Sequence, residues 1–162
     1  MLSERLNNAY NAQIKNELNS AYIYLGMAAY FDSHNLPGFA HWMRAQAEEE
    51  MEHGMKFYHF VFERGGNVAL AALDEPSVQY ESPMAAFKAA YAHEQFISES
   101  INHLYRLAEE EHDYASRPLL HWFIEEQVEE EANARGIVEQ LEMVAGSKTG
   151  IFMLDRQLAK RE

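Results

Sequence analysis

The chain contains no cysteine. This absence excludes disulfide bonds, covalent haem attachment and every zinc or iron site built on thiolates. The chain also has no apolar run long enough to span a membrane, and its first residues enter a helical pattern directly, so we expect no secretory signal and a cytoplasmic protein. Basic residues are scarce, since 13 Lys and Arg face 26 Asp and Glu for a formal net charge of −13. That balance argues against nucleic acid and against an anionic membrane surface as partners.

Proline and glycine are also few, and they mark the ends of long periodic segments. Pro37, Pro83 and Pro118 each open such a segment, whereas Gly65-Gly66 and Gly146 follow the end of one. No stretch alternates polar and apolar residues over the length of a strand, so the 162 residues are expected to form one all-α domain. The predicted helices cover roughly 3–33, 37–64, 83–111 and 117–145, with a short fifth helix at 150–160.

Residues 65–82 form a long connection without caps or clean periodicity. Fully extended, at about 3.3 Å per residue, this segment is able to run the whole length of the neighbouring helices. The other long helices are joined by short turns and should therefore be antiparallel neighbours. The sequence thus predicts a four-helix bundle with one long crossover loop, an arrangement typical of ferritin-like folds.

Each long helix carries an apolar stripe that polar residues interrupt near its middle. Counted from the start of its helix, each interrupting glutamate lies about 11 to 14 residues in, so antiparallel packing brings the four to a similar depth. No lysine or arginine lies on these stripes. The interrupting residues are Glu17 in the first helix, Gln46, Glu50 and His53 in the second, Glu94 in the third, and Gln127 and Glu130 in the fourth.

Four carboxylates in a dry core would each cost several kcal/mol if they were left without a compensating charge. Two divalent cations balance four glutamates, and carboxylate with imidazole suits iron or manganese better than a structural zinc. The sequence therefore predicts a two-metal site, in which Glu50 bridges the ions and His53, one turn away, binds one of them.

Other polar and aromatic residues allow two interpretations each. Glu49, Glu126 and Glu129 flank the stripes and are either a second, weaker cation site or an exposed acidic ridge. Tyr24 and Trp122 either exchange electrons with the metal pair or simply pack. The second Glu-x-x-His pair, Glu109 with His112, lies at a helix end far from the common level, and we interpret it as a surface feature.

Five stretches carry a resemblance over nearly the whole chain: LSERL at the start, EEEMEH, HEQFIS, EEQVEEE and FMLDRQL near the end. Together with Glu17 and Tyr24, these stretches make the chain resemble the non-haem ferritins of bacteria and archaea. The resemblance implies a hollow shell of twenty-four subunits that oxidises Fe²⁺ with O₂ or peroxide and stores ferric mineral inside. It also implies that the short last helix packs around the fourfold channels.

The same resemblance implies roles for individual residues at an intra-subunit ferroxidase centre. One iron is held by Glu17, Glu50 and His53, and the other by Glu50, Glu94 and Glu130, with Gln127 nearby. A third, weaker iron site is formed by Glu49, Glu126 and Glu129 together with Glu130. We also count Tyr24 among the catalytic residues of this centre.

Related di-iron proteins leave alternatives open. Bacterioferritins carry a second Glu-x-x-His in the fourth helix, where this chain has Gln127-x-x-Glu130, but Met51 stands where those proteins place a haem-ligating methionine; we expect no haem. Rubrerythrins need cysteine-bound iron, and the mini-ferritins place their ligands between subunits. A di-iron oxidase or oxygenase acting on an organic substrate would use the same ligands, whereas a purely structural bundle would leave the four glutamates unexplained.

Overall fold

Five α-helices make up the computed structural model, which describes residues 1–162 and contains no β-strand. They are α1 (Glu4–Ser33), α2 (Pro37–Glu63), α3 (Pro83–Glu110), α4 (Arg117–Met143) and α5 (Lys148–Leu158), with a 3₁₀ turn at Tyr114–Ser116 before α4. The most extensive packing is between α1 and α2 and between α3 and α4, α1 also packs on α3, and α5 packs on α2. The predicted all-α bundle with a crossover and a short fifth helix is confirmed. The fifth helix begins and ends two residues earlier than expected.

Serine side chains begin three of the helices. The Oγ atoms of Ser3, Ser82 and Ser147 accept hydrogen bonds from backbone N–H groups three residues later, which satisfies donors that a helix leaves without a partner. Pro37 and Pro83 occupy the first turns of α2 and α3, where a missing N–H costs nothing. Gly146 follows α4 with a φ of 78°, a left-handed conformation that glycine adopts without strain.

The first turn of α2 is capped by a residue from the far end of the chain. The residue before this helix, Leu36, makes no side-chain cap. Instead the Asp155 Oδ1 atom in α5 accepts hydrogen bonds from the N–H groups of Gly38 (2.8 Å) and Phe39 (3.0 Å). A side chain at Gly38 would collide with the Asp155 backbone, since a Cβ there would lie 1.7 Å from its carbonyl oxygen. This contact fixes α5, and with it the C-terminus, against α2.

The crossover, residues 64–82, lies along α1 and is held there by asparagine side chains. Three asparagines on one face of α1 accept backbone hydrogen bonds from successive points of the crossover, and Gly26, further along α1, leaves room for the close approach of Ser77. The three pairs are Asn7 Oδ1 with Asn67 N at 2.9 Å, Asn11 Oδ1 with Ala69 N at 2.6 Å, and Asn19 Oδ1 with Asp74 N at 2.9 Å.

The apolar core is divided into two clusters. One surrounds Phe31, Phe39 and Phe87 near the α5 end of the bundle, and the other surrounds Phe57 and Phe123 near the opposite end. Buried glutamate, glutamine and histidine side chains occupy the level between them. No helix combines the length and the apolar character that crossing a membrane requires.

Candidate metal centre

Six polar side chains from all four long helices meet at the level between the two apolar clusters. None of the six is more than 4% exposed. We call them the carboxylate–histidine cluster: Glu17 from α1, Glu50 and His53 from α2, Glu94 from α3, and Gln127 and Glu130 from α4. The stripes of the sequence thus meet at one depth, as their spacing from the helix starts requires.

One half of the cluster is a set of unpaired ligand atoms. Glu17, Glu50 and His53 each offer an oxygen or nitrogen atom within 4.8 Å of the other two. The His53 Nδ1 atom lies 3.3 Å from Glu50 Oε2, but these two atoms and Glu17 Oε2 are buried without any hydrogen-bond partner. Because buried polar atoms are nearly always satisfied, three orphaned ligand atoms facing one another fit a bound cation.

The other half of the cluster is centred on Glu130. A second group within 4.8 Å consists of His53, Glu126 and Glu130, so His53 belongs to both groups, and its Nε2 atom lies 3.9 Å from Glu126 Oε1. Glu94 belongs to neither group. It accepts hydrogen bonds from the Tyr24 hydroxyl and from Gln127 Nε2, the latter at 3.2 Å.

Two glutamines support the carboxylates from one helical turn away. Gln13 Nε2 donates to Glu17 Oε1 at 2.7 Å, and Gln46 Nε2 donates both to Glu50 Oε1 at 3.2 Å and to Glu130 Oε2 at 2.7 Å. Each amide precedes its glutamate by four residues, the spacing that places two side chains on one face of a helix. Sequence reasoning placed Gln46 on a stripe without giving it a role and missed Gln13, although the i, i+4 spacing to a stripe glutamate was a usable signal.

Burial makes ionisation unfavourable for three of these carboxyls, those of Glu17, Glu94 and Glu130. It raises the pKa of Glu94 to about 8, with the Glu50 charge adding to the effect, and burial followed by the Glu94 and Glu50 charges raises the pKa of Glu130 to about 8. Burial and then Glu50 raise the pKa of Glu17 well above its usual range. Without a cation, therefore, protons neutralise much of the cluster near neutral pH.

The histidine and tyrosine respond to the same carboxylates. Burial lowers the pKa of His53, but the adjoining Glu50 and the other carboxylates outweigh it and the pKa is raised overall. Burial and then Glu94 raise the pKa of Tyr24 well above its usual value, so the hydroxyl keeps its proton and donates it in a hydrogen bond. None of the four buried glutamates is ion-paired with lysine or arginine.

Aromatic side chains surround the cluster. The His53 ring packs edge-on against Trp122 and Phe123, with ring centres 5.5 and 5.6 Å apart, and Phe123 stacks on Phe57. Trp122 therefore contacts the histidine that belongs to the cluster. A groove of 310 Å³ between α3 and α4 reaches Gln127 but is not lined by His53 or by any of the four glutamates.

The residues predicted for a third site are less closely gathered. Glu126 lies beside His53, as described above, whereas Glu129 is exposed. The Glu49 carboxylate is ion-paired with Arg161, at 2.6 Å. Two residues discussed from the sequence lie outside the cluster. Glu109, of the second Glu-x-x-His pair, forms a surface ion pair with Arg117. Met51, at the position of the haem-ligating methionine of bacterioferritins, is 49% exposed on α2.

The cluster suits divalent metal chemistry. Oxygen and imidazole ligands in a water-poor interior favour iron or manganese, and a site with several carboxylates can balance the positive charge of two ions. Because His53 belongs to both groups of ligands, two cations bound at this level would both lie near the His53 side chain. The tyrosine and glutamines hold the carboxylates in place through hydrogen bonds.

Comparison with known proteins points to one family. The model of the Ferritin-like domain matches residues 7–144. A bacterial non-heme ferritin of Bacteroides fragilis strain 638R is 38% identical over 161 residues, covering 99% of this chain and all of that one. A bacterial non-heme ferritin of Staphylococcus aureus strain MRSA252 is 33% identical, over 99% of this chain and 97% of that protein.

Solved structures agree with the sequence relatives. An open-pore ferritin from the hyperthermophilic archaeon Archaeoglobus fulgidus is 46% identical and superposes with a TM-score of 0.98, covering 99% of this chain and 98% of that one. A closed form of the Archaeoglobus fulgidus ferritin, engineered by mutagenesis, is 45% identical with the same TM-score, covering 100% of this chain and 99% of that one.

Proposed function

Because the chain belongs to the ferritin family and is an iron-storage protein, we propose that its carboxylate–histidine cluster is the ferroxidase centre at which Fe²⁺ is oxidised before storage. The observation that carries the proposal is the set of three buried, unpaired ligand atoms on Glu17, Glu50 and His53. A structural bundle gains nothing from leaving them unsatisfied, since each costs about 1–3 kcal/mol. A bound Fe²⁺ ion removes that cost.

The first Fe²⁺ binds to Glu17, Glu50 and His53, whose ligand atoms already lie within 4.8 Å of one another. The second binds between Glu50, Glu94 and Glu130, with Gln127 beside it, and Glu50 bridges the two ions. Glu94 accepts hydrogen bonds from Tyr24 and Gln127. To bind the metal, its carboxylate has to give up part of this hydrogen bonding. A third, weaker site uses Glu49, Glu126 and Glu129 with Glu130.

Binding of Fe²⁺ displaces protons from the cluster. Because the pKa values of Glu94 and Glu130 are about 8, both carboxyls carry protons at pH 7, and each proton leaves as the metal takes its place. When O₂ is the oxidant, two Fe²⁺ ions give up one electron each, and O₂ accepts both electrons with two protons to form H₂O₂. The Tyr24 hydroxyl holds the Glu94 carboxylate in position during this change of charge.

The storage compartment is a closed shell, for which we propose twenty-four subunits. Large apolar side chains on the outer face of α1 support assembly, because Tyr22 and Leu25 are 44% and 51% exposed on the isolated chain. The ferritin relatives of known structure cover 99% to 100% of this chain. Such a shell needs neither nucleic acid nor membrane, and a chain without cysteine suits the reducing cytoplasm.

The test is the substitution Glu50→Ala, with Glu52→Ala as its matched control. Both changes remove one carboxylate from α2, but Glu52 is exposed and lies outside the cluster. The initial rate of Fe²⁺ oxidation, measured by stopped flow in air, should fall in the Glu50 variant by more than the roughly 10- to 100-fold that loss of a supporting group causes. The Glu52 variant should match the unmodified protein, and circular dichroism should show equal helix content in all three.

An unchanged initial rate in the Glu50 variant would remove the di-iron assignment. Storage is tested separately, by loading the protein with a large excess of Fe²⁺ in air and desalting it. Iron far above about two ions per chain, the capacity of the intra-bundle site, should elute with a large assembly. Retention of only about two ions per chain would instead indicate a di-iron oxidase acting on an organic substrate.

A further inference from the structure

Arg161, three residues beyond the end of α5, occupies a defined position beside the carboxylate–histidine cluster. The Arg161 guanidinium donates to Glu49 Oε2 at 2.6 Å, to Gln46 Oε1 at 2.8 Å and to the carbonyl oxygen of Trp42 at 3.3 Å. Its central carbon also lies 4.4 Å from the centre of the Trp42 ring. The side chain is only 17% exposed, so this is a largely desolvated cation with three acceptors and an aromatic face.

The backbone around Arg161 is held as well. The His41 Nε2 atom lies 2.7 Å from the carbonyl oxygen of Arg161, and α5 is fixed to α2 through the hydrogen bonds of Asp155 described above. A surface arginine that meets a glutamate by chance contributes little and keeps its freedom. Arg161 differs because both its backbone and its side chain are tied to a single helix, α2.

This position connects Arg161 with the cluster through Gln46. An arginine only donates hydrogen bonds, so it fixes the oxygen of the Gln46 amide toward itself and leaves the NH₂ group for Glu50 and Glu130. Gln46 thus links the C-terminal tail, residues 159–162, to Glu50 and Glu130, two proposed iron ligands. It also directly contacts Glu49, a proposed ligand of the third iron.

A guanidinium and a metal ion cannot share the Glu49 carboxylate on equal terms. Arg161 remains protonated at any physiological pH, so its positive charge is permanent. A cation that binds Glu49 has to break the ion pair at 2.6 Å and to remain close to a like charge.

We propose that Arg161 is a built-in competitor of the third metal ion, which limits each subunit to two strongly bound ions for as long as the C-terminal tail stays on α2. The inference rests on the proposed function, because it takes the di-iron centre and its third site as given. Displacement of the tail frees Glu49, and the subunit then binds a third ion alongside Glu126 and Glu129. The tail therefore decides how many ions bind at this part of the bundle.

The experiment measures Co²⁺ binding to the full assembled protein by equilibrium dialysis and visible absorption. Co²⁺ is chosen because O₂ does not oxidise it when its ligands are carboxylates and imidazole. The unmodified protein should bind about two Co²⁺ per chain strongly. The variant Arg161→Ala should bind a third with an affinity raised about tenfold or more, which corresponds to about 1.4 kcal/mol. Arg161→Gln keeps a hydrogen-bond donor without the charge and should show the same gain even if alanine loosens α5.

Two further variants show whether the gain comes from Glu49. Lys160→Ala removes the same charge from the neighbouring, exposed residue and should leave binding at about two Co²⁺ per chain. The double variant Glu49→Gln with Arg161→Ala should lose the third ion again. The inference is overturned if Arg161→Ala and Arg161→Gln bind no third ion, if Lys160→Ala gains one equally, or if the double variant keeps it. In those cases two strongly bound ions still leave the proposed ferroxidase centre intact, whereas the absence of any strong Co²⁺ binding would remove both proposals.

Discussion

Replacing Glu130 by glutamine should make the protein more stable in alkaline solution when it is stripped of metal, while it abolishes rapid iron oxidation. Glutamine has almost the shape of glutamate and keeps an oxygen that can accept the hydrogen bond from Gln46, now 2.7 Å long. What it loses is the charge. Glu130 is 3% exposed, and burial with the nearby Glu94 and Glu50 charges raises its pKa to about 8.

The magnitude follows from this pKa. A group whose pKa is higher in the folded than in the unfolded state stabilises the fold fully below the unfolded value, near 4.5, and that stability is lost as the pH rises through the folded value, near 8. At about 1.4 kcal/mol for each unit of pKa, the loss approaches roughly 5 kcal/mol at pH 9. Allowing for relaxation and water penetration, we expect about half of it, roughly 2–3 kcal/mol, which shifts the melting temperature of a chain this long by roughly 5–10 °C.

The assay is thermal unfolding of chelator-treated protein at pH 5 and at pH 9, with one protein concentration and one scan rate throughout, because assembly and slow unfolding both affect the melting temperature. The advantage of Glu130→Gln over the unmodified protein should be small at pH 5 and large at pH 9. Glu125→Gln, an exposed change on the same helix, should show no such growth. Equal differences at the two pH values, or a variant less stable at pH 9, would refute the reasoning that the cluster resists ionisation.

Two further predictions concern the contacts around the cluster and the tail. Tyr24→Phe removes the hydroxyl that donates to Glu94. The initial rate of Fe²⁺ oxidation, measured by stopped flow, should fall roughly tenfold while the number of Co²⁺ ions bound stays the same. An unaltered rate would contradict a positioning role for this hydroxyl. Asp155→Ala removes the acceptor for the Gly38 N–H at the start of α2, which should cost about 1 kcal/mol and lower the melting temperature by about 2–4 °C. Asp155→Asn keeps an acceptor and should recover most of the loss, and equal melting temperatures for the two variants would contradict the capping role.

The sequence allowed the fold and the composition of the cluster to be predicted for physical reasons. Helical periodicity is local, so apolar spacing of three and four residues shows the buried face of each helix without knowledge of its partners. Glu17, Glu50, Glu94 and Glu130 stood out because a carboxylate on that face is expensive. The depth of each within its helix, at a fixed rise per residue, then brought them to one level.

Contacts between distant segments could not be predicted in this way. The crossover is held by Asn7, Asn11 and Asn19 through backbone atoms of residues 67–74, and a backbone N–H carries no sequence signature. Asp155 caps a helix more than a hundred residues earlier, where a local search sees only the uncapped Leu36. Arg161 carries no sequence signature that links it to the cluster, because its contacts with Gln46 and Glu49 arise only when α5 packs on α2.

The buried glutamates were identifiable for the same reason that they are useful. A sequence chosen only for stability would fill this level with apolar side chains, since well-packed hydrophobic residues often stabilise a core as well as buried charges do. The protein instead folds around carboxyl groups that hold protons: the pKa values of Glu94 and Glu130 are about 8. A proton is a small and exchangeable countercharge, so protonated carboxyls let the bundle keep its shape without metal, and at the proposed centre Fe²⁺ would take the place of the proton. The instability that each carboxylate would cause alone is thus what would favour cation binding at the proposed site.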